Sequence, residues 1–149
     1  MGWNAHITVA CVVEHEGRFL LVEERTDDGR LVLNQPAGHW EEGETLQAAA
    51  IRETLEESAW DVELTGLVGL YAYKPEHLDH GFLRVAFAAR ALHHHPQRTL
   101  DDGIERGLWM SREELATCGG RHRSPMVLLG VDDYLAGKRY PLDLIHHLR

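Results

Sequence analysis

The sequence has little of several features that define common protein classes. It contains two cysteines in 149 residues, which is too few for a framework of disulfide bonds. Cys11 lies in an apolar run, and we expect it to be a buried thiol. No apolar run approaches the roughly 20 residues that a membrane-spanning helix needs. The first residues lead directly into a mixed segment, so we expect no signal peptide and a cytoplasmic protein.

Positive charge is also scarce. The chain carries 15 Lys and Arg against 24 Asp and Glu, which gives a formal net charge of −9. Non-specific binding to nucleic acid needs a basic surface, and so does attraction to an anionic membrane. We therefore expect neither partner. If the substrate is itself an anion, a divalent cation is the usual means of screening the repulsion.

The length fits one domain covering residues 1–149, with a core of useful size. Apolar and β-branched segments predict strands, and segments rich in helix formers predict helices. Strands are expected at 7–13, 19–22, 31–33, 62–73, 82–92 and 108–110. Helices are expected at 45–59, from a capping box at 111–114, and at 125–135. Interleaved strands and helices are typical of a mixed α/β or α+β domain.

The helix predicted at 45–59 concentrates acidic residues, and Thr45 is a plausible N-cap. At about 100° per residue, Glu53, Glu56 and Glu57 fall within one arc of about 100°. Clustered carboxylates repel one another, and a hard cation such as Mg²⁺ removes the conflict because it prefers oxygen ligands. The alternative is a solvated acidic face. The opposite side is expected to face the core: Ala48, Ile51 and Leu55.

The acidic helix is part of a longer pattern of fixed spacing, G-x5-E-x7-R-E-x2-E-E. It is formed by Gly38, Glu44, Arg52, Glu53, Glu56 and Glu57. This pattern resembles the Nudix box, the signature of hydrolases that split phosphoanhydrides. Thr54 and Ala59 depart from the consensus, which has an aliphatic residue and a glycine there, but neither change removes a ligand.

The resemblance implies a Nudix fold, an α/β/α sandwich with a mixed β-sheet. It also implies hydrolysis of phosphoanhydrides with Mg²⁺, or alternatively Mn²⁺, as the cofactor. Glu53, Glu56 and Glu57 would bind the metal ions, with the Gly38 carbonyl as a further ligand. Arg52 would pair with Glu53 and hold its orientation. An ordinary exposed ion pair is the other reading of that arginine.

The resemblance extends over most of the chain and is nearest to a branch of phosphatases within the family. The segments that carry it include 6–13, 34–39, 82–84, 123–125 and 134–142. That branch implies removal of the terminal phosphate from nucleoside tri- and diphosphates. It also implies action on thiamine-pathway pyrophosphates, namely hydroxymethylpyrimidine pyrophosphate and thiamine pyrophosphate.

Two other functions stay open. A Nudix pyrophosphohydrolase would release pyrophosphate or act on ADP-ribose, and only its products would distinguish it. A Nudix-fold binding module without catalysis is disfavoured, because such modules usually lose the box carboxylates that this chain keeps.

The general base has several candidates. Glu53 is one, and the loop before Trp109 offers three more acids, of which Asp102 is the weak second choice. The alternative for the loop acids is a solvated turn. These loop acids are Asp101, Asp102 and Glu105.

Substrate-binding residues are predicted at two places. Arg84 lies in a strand segment where it needs an anion or a carboxylate partner, so a substrate phosphate or a structural salt bridge would serve. Gln35 and Asn34 could contact a substrate ring, or simply bond within a turn. Trp40, Tyr71 and Tyr73 could stack on a ring, although core packing is the commoner role. Three consecutive histidines at 93–95 cannot converge well on one zinc ion, so a solvated loop is expected.

Overall fold

The computed structural model describes residues 3–148, in which strands dominate the first two thirds of the chain. The elements, in chain order, are β1 (Ala5–His15), β2 (Arg18–Arg25), β3 (Leu31–Asn34), β4 (Ala37–His39), α1 (Leu46–Ser58), β5 (Trp60–Tyr73), β6 (Gly81–His94), β7 (Ile104–Ser111), α2 (Arg112–Thr117) and α3 (Met126–Leu135). Short 3₁₀ turns occupy Gly119–Arg121 and Leu142–Leu144. Within residues 3–148, no helix is long and apolar enough to cross a membrane.

The strands form one mixed sheet in the order β3-β2-β1-β6-β5, with β4 also paired to β1 and β7 to β2. Strands β1 and β6 run parallel, with Val9 opposite Val85. The other pairings are antiparallel. Helices cover both faces, so the predicted α/β/α sandwich with a mixed sheet is confirmed.

Strand β1 lies in the middle of the sheet. Both of its faces are buried, as expected for a nearly continuous apolar run. Val9 and Cys11 pack in the core cluster that includes Ala49 and Ala50 of α1. Val12 packs in the other cluster, with Val127 and other residues of α3. Burial raises the pKa of the Cys11 thiol to about 12, which agrees with its expected place in the core.

The elements expected from the sequence are present, mostly with longer strands. Strand β4 was not predicted, because Pro36 and Gly38 favour a break, yet Gly38 pairs with Val9 of β1. The predicted loop at 93–95 was partly wrong, since His93 and His94 extend β6 by pairing with the start of β5. The capping box at Ser111 is confirmed by reciprocal bonds with Glu114.

Helix α1 begins and ends at defined caps. The Thr45 side chain accepts a hydrogen bond from the Ala48 N–H, as expected of an N-cap. Ala59 adopts a left-handed conformation with φ of 63°, and its N–H bonds the Leu55 carbonyl. A glycine takes this conformation without steric conflict, so the geometry explains why a glycine suits the position. Ala59 nevertheless ends the helix at the same place.

Candidate active site

Helix α1 turns its carboxylates inward. Glu53 and Glu57 are only 8% and 9% exposed. The core face predicted for this helix was therefore wrong, since Ile51 is exposed and the buried face carries small or polar residues. Thr54 is buried, and its hydroxyl donates a hydrogen bond to the Ala50 carbonyl at 2.8 Å. The buried residues of the helix are Ala49, Ala50, Glu53, Thr54, Glu57 and Ser58.

Small side chains account for the inverted face. Ala49 and Ala50 let α1 lie close to the sheet, where they join the cluster of Val9 and Phe87. The following turns of α1 then lie beside β4. There the Glu57 carboxylate meets a backbone N–H of β4, and Glu53 and Glu57 line an open cavity. A helical wheel ranks positions by hydrophobicity alone, so it cannot anticipate a cavity that receives charged groups.

Arg52 organises the acidic residues around it. Its guanidinium makes a two-point contact with Glu44, at 3.0 and 2.7 Å. The remaining nitrogen donates to Glu53 at 2.7 Å and to Glu56 at 2.9 Å. A further bond reaches the His39 carbonyl at 3.2 Å. The expected pairing of Arg52 with Glu53 is thus present, and its geometry fixes the orientation of three carboxylates at once.

Three acids converge at the outer side of α1. Glu53, Glu56 and Asp101 each offer a carboxylate oxygen, and these oxygens lie within 4.8 Å of one another. Asp101 reaches the helix because its own N–H bonds the Glu56 carbonyl at 3.1 Å. Asp101 comes from the loop between β6 and β7, so residues far apart in sequence form this cluster.

The loop acids therefore have different surroundings. Asp101 and Asp102 are both exposed, but only Asp101 joins the box carboxylates; Asp102 belongs neither to this cluster nor to the adjoining cavity. Glu105 forms an ion pair with Arg25 at 3.0 Å. Asp102 as the general base stays a prediction, but the loop backbone bonds α1 at Asp101, which brings that residue and not Asp102 into the cluster.

Glu57 lies on the inner side of α1, beside β4. Its carboxylate accepts a hydrogen bond from the Ala37 N–H at 2.9 Å. Burial raises the pKa of Glu57 to about 8, and the nearby charges of Glu24, Glu53 and Asp101 add to the effect. Burial also raises the pKa of Glu53, against the opposing influence of Arg52.

Asp101 follows the same trend, since burial and then the charge of Glu56 raise its pKa. Carboxyl groups with raised pKa values gain from a nearby positive charge, because the charged form is the one that burial penalises. The donor set consists of oxygen atoms, which suit Mg²⁺ or Mn²⁺. The residues present therefore fit a divalent metal ion.

Gly38 lies directly against the acidic face of α1. A Cβ atom at this position would overlap the Glu53 carboxylate. A glycine is therefore required for steric reasons, independent of any role for its carbonyl. The residue lines the same cavity as Glu53 and Glu57, which keeps its predicted part in metal binding compatible with the geometry.

A cavity of about 440 Å³ opens beside these carboxylates. Its walls combine acids from α1 with arginines from β6 and from the segment before α3. Tyr73, Leu78 and Phe82 form a more apolar side. The volume lies within the range of small-molecule sites. Its charged lining residues include Glu24, Glu53, Glu57, Arg84 and Arg123.

Arg84 is the most buried cation of the cavity, at 5% exposure. Its two terminal nitrogens donate to the side-chain oxygens of Gln35 and Asn34, both at 3.0 Å. Its Nε has no hydrogen-bond partner among the described residues. Burial lowers the pKa of Arg84 to about 10, so the guanidinium stays charged at neutral pH. Neutral amides hold this cation without cancelling its charge, which leaves it available to an anion.

Gln35 supports Arg84 from behind. It is 2% exposed, and its amide nitrogen donates to the Val127 carbonyl at 2.7 Å. Both ends of the amide are therefore used within the protein. Gln35 does not line the cavity, and its direct contact with a substrate stays a prediction. Asn34 does line it, and also donates to Glu24 at 3.2 Å.

The other aromatic residues named in the sequence analysis differ in whether they line the cavity. Tyr73 lines the cavity. Tyr71 is buried on the side of the sheet that α3 covers, where its hydroxyl donates to Asp133 at 2.7 Å. Trp40 donates to the Glu44 carbonyl and is half exposed. The His95 ring contacts the Asp61 carboxylate of β5 at 2.6 Å, so its polar partner lies within the protein.

Comparison with known proteins gives a family match and similar structures. Residues 4–129 match the NUDIX domain. The chain belongs to the Nudix family. Phosphatase NudJ of Escherichia coli K12 is 40% identical over 144 residues, which cover 96% of this chain and 92% of that protein. A Nudix hydrolase from Nitrosomonas europaea is 39% identical and superposes with a TM-score of 0.95, covering 97% of this chain and 98% of that one.

Family membership defines the chemistry at the level of the enzyme class. The protein is a Nudix hydrolase, acting on phosphoanhydride bonds, and the expectation of an enzyme is confirmed. A MutT Nudix hydrolase from Burkholderia pseudomallei, at 16% identity and a TM-score of 0.73, shares the fold.

Two residues that line this cavity were not predicted from the sequence as site residues. Glu24 and Arg123 form an ion pair at 2.9 Å. Glu24 follows Glu23 at the end of a strand, where alternation gives no signal. Arg123 was noticed only as part of a segment similar to other family members. Only the fold brings the two together.

Proposed function

We propose that this Nudix hydrolase is a Mg²⁺-dependent phosphatase that removes the terminal phosphate from nucleoside tri- and diphosphates. We include the thiamine-pathway pyrophosphates, hydroxymethylpyrimidine pyrophosphate and thiamine pyrophosphate. The similarity to phosphatase NudJ over nearly the whole chain supports the phosphatase outcome. The observation that carries the proposal is the arrangement of Arg84 and the α1 carboxylates around one cavity.

Metal ions would be held on two sides of Glu53. The outer side offers Glu56 and Asp101, and the inner side offers Glu57 and Gly38. Arg52 keeps the shared carboxylate in place. Bound Mg²⁺ would neutralise phosphate oxygens and make a water molecule more acidic. Mn²⁺ would serve the same purpose with the same oxygen ligands.

The protein residues divide the remaining work. Arg84 binds a phosphate oxygen of the substrate, and the amides of Asn34 and Gln35 aim it. Glu53 or Asp101 accepts the proton of the attacking water, since the pKa of each carboxyl group is raised, first by desolvation and then by neighbouring carboxylates. Water attacks phosphorus, the anhydride P–O bond breaks, and the products are inorganic phosphate and the shortened phosphate ester.

Product analysis tests this proposal. The protein is incubated with Mg²⁺ and thiamine pyrophosphate, hydroxymethylpyrimidine pyrophosphate or the common nucleoside triphosphates. Phosphate is then measured with and without added inorganic pyrophosphatase, with Glu57→Gln as the inactive control. We expect phosphate to appear directly, and diphosphates to form from the triphosphates.

The same assay separates the alternatives. Phosphate that appears only after pyrophosphatase treatment would indicate a pyrophosphohydrolase and refute the phosphatase proposal. Release of AMP and ribose 5-phosphate from ADP-ribose, with none of the proposed substrates hydrolysed, would do the same. Turnover that persists unchanged with EDTA would refute the metal requirement.

A further inference from the structure

A second cavity, of about 360 Å³, opens where α1 ends and where β5, β6 and β7 come together. It has no lining residue in common with the cavity of the carboxylates. The functions described above make no use of it. Its lining combines aromatic rings and arginines, and six of these residues matter here: Trp60, His94, His95, Arg98, Arg106 and Trp109.

The aromatic part of this second cavity has a definite shape. The rings of Trp60 and Trp109 stand edge to face, with centroids 5.6 Å apart and an angle of 87°. His94 stacks on Trp60 at 4.8 Å and 28°. Both indoles are partly exposed. Because His94 covers one face of Trp60, a planar heterocycle would meet the remaining exposed surface of the two indoles, which stand at a right angle.

The polar part of the lining holds two arginines, Arg98 and Arg106, and one acid, Glu105, whose charge is paired with Arg25 at 3.0 Å. Arg98 is exposed, and among residues 3–148 no carboxylate lies within ion-pair distance of it. Arg106 binds Glu23 at 2.9 Å, but Glu23 is also bound by Arg121 at 2.5 Å. One carboxylate is thus shared by two guanidinium groups. A local excess of arginine in a chain of net charge −9 favours an anionic ligand, and arginine suits phosphate especially.

We propose that the second cavity binds a planar heteroaromatic phosphate monoester of mononucleotide size. The ring would lie against Trp60 and Trp109, and the phosphate would lie between Arg98 and Arg106. The volume is at the lower end of small-molecule sites, which suits one base with its sugar and phosphate better than a dinucleotide.

The position of this cavity links it to the carboxylate cluster. The loop between β6 and β7 forms one wall and also carries Asp101. The His95 N–H bonds the Ala59 carbonyl at 2.8 Å, and the Asp101 N–H bonds the Glu56 carbonyl at 3.1 Å. A ligand in the second cavity therefore lies against the segment that brings Asp101 to the box helix.

Binding of AMP to the EDTA-treated protein tests the proposal without depending on catalysis. Calorimetry and tryptophan fluorescence should show saturable binding. We expect Arg98→Ala and Trp109→Leu each to weaken affinity by about fivefold or more, whereas Arg84→Ala should change it by less than about twofold. Adenosine and ribose 5-phosphate, which each lack one half of the ligand, should bind about tenfold more weakly.

The outcomes that overturn the proposal are distinct. Wild-type protein that shows no saturable binding of AMP excludes the site. Affinity that falls in Arg84→Ala but not in Arg98→Ala would locate the nucleotide in the catalytic cavity. Trp109→Phe keeps a flat ring and should retain most of the affinity. A loss in that variant as large as in Trp109→Leu, with an unchanged circular dichroism spectrum, would contradict stacking on the indole.

Discussion

Replacing Glu57 by glutamine should stabilise the metal-free protein while it removes activity. The amide keeps the size of the side chain, and its oxygen can still accept the bond from the Ala37 N–H. It carries no charge at any pH, so the penalty for burying a carboxylate disappears. Loss of a proposed metal ligand should lower turnover by about a hundredfold or more.

The sign of the pH dependence follows from the raised pKa. A carboxyl group whose pKa is higher in the folded state stabilises that state when protonated. This stabilisation is fully present below the ordinary glutamate value of roughly 4.3. It is lost as the pH rises through the folded value of about 8. Between pH 5 and 8.5, the loss amounts to about 4 kcal/mol at about 1.4 kcal/mol per pKa unit.

Urea unfolding in EDTA measures this effect. The free energy of unfolding is determined at pH 5 and pH 8.5 for wild type and for Glu57→Gln. We expect the variant to gain about 4 kcal/mol relative to wild type between the two pH values. Other titrating groups are common to both proteins and cancel in the difference. Glu42→Gln, an exposed acid of the loop before α1, serves as the control and should show no such gain.

A parallel pH dependence in wild type and Glu57→Gln would refute the reasoning. It would mean that the Glu57 carboxylate is either exposed to solvent or balanced by a nearby positive charge in the folded protein. Near-normal Mg²⁺-dependent turnover in the same variant would separately remove Glu57 from the set of metal ligands.

Three other substitutions probe the geometry of the site. Gly38→Ala should displace the Glu53 carboxylate and lower turnover by about tenfold or more, while thermal unfolding changes little; full activity would show that Glu53 need not occupy its present place. Asp101→Asn should lower turnover by about tenfold or more and shift the pH–rate profile, whereas Asp102→Asn should match wild type, and equal effects would contradict the docking of the loop. Arg84→Ala should raise KM about tenfold with a smaller change in kcat, and an unchanged KM would limit Arg84 to a structural role.

The sequence was most informative where local rules govern the structure. The N-cap of α1 and the capping box at Ser111 could be predicted because each depends on side chains within one turn of the helix. Most strand positions followed from apolar runs, with β4 and the end of β6 as the exceptions. The spacing of the box identified the family and its enzyme class, since several fixed identities are a far stronger signal than one acidic helix.

The parts that could not be predicted depend on contacts between distant segments. Small Ala49 and Ala50 bring α1 close to the sheet and turn its acids inward, against the hydrophobic pattern. The choice of Asp101 over Asp102 depends on one backbone bond to α1. The role of Gln35 behind Arg84 depends on α3, whose Val127 carbonyl receives its amide. No spacing in the sequence records these distances.

The parallel pairing of β1 with β6 has a consequence for the order of folding. The box helix lies in the chain between these two strands, so the pairing of Val9 with Val85 closes a long loop. Pairings between distant segments form slowly, while hairpins such as β1–β2 form early. Asp101 lies in the loop that follows β6, so its approach to α1 depends on β6 taking its place in the sheet. We therefore expect the capacity to bind Mg²⁺ to appear in the slow phase of refolding, after most of the secondary structure.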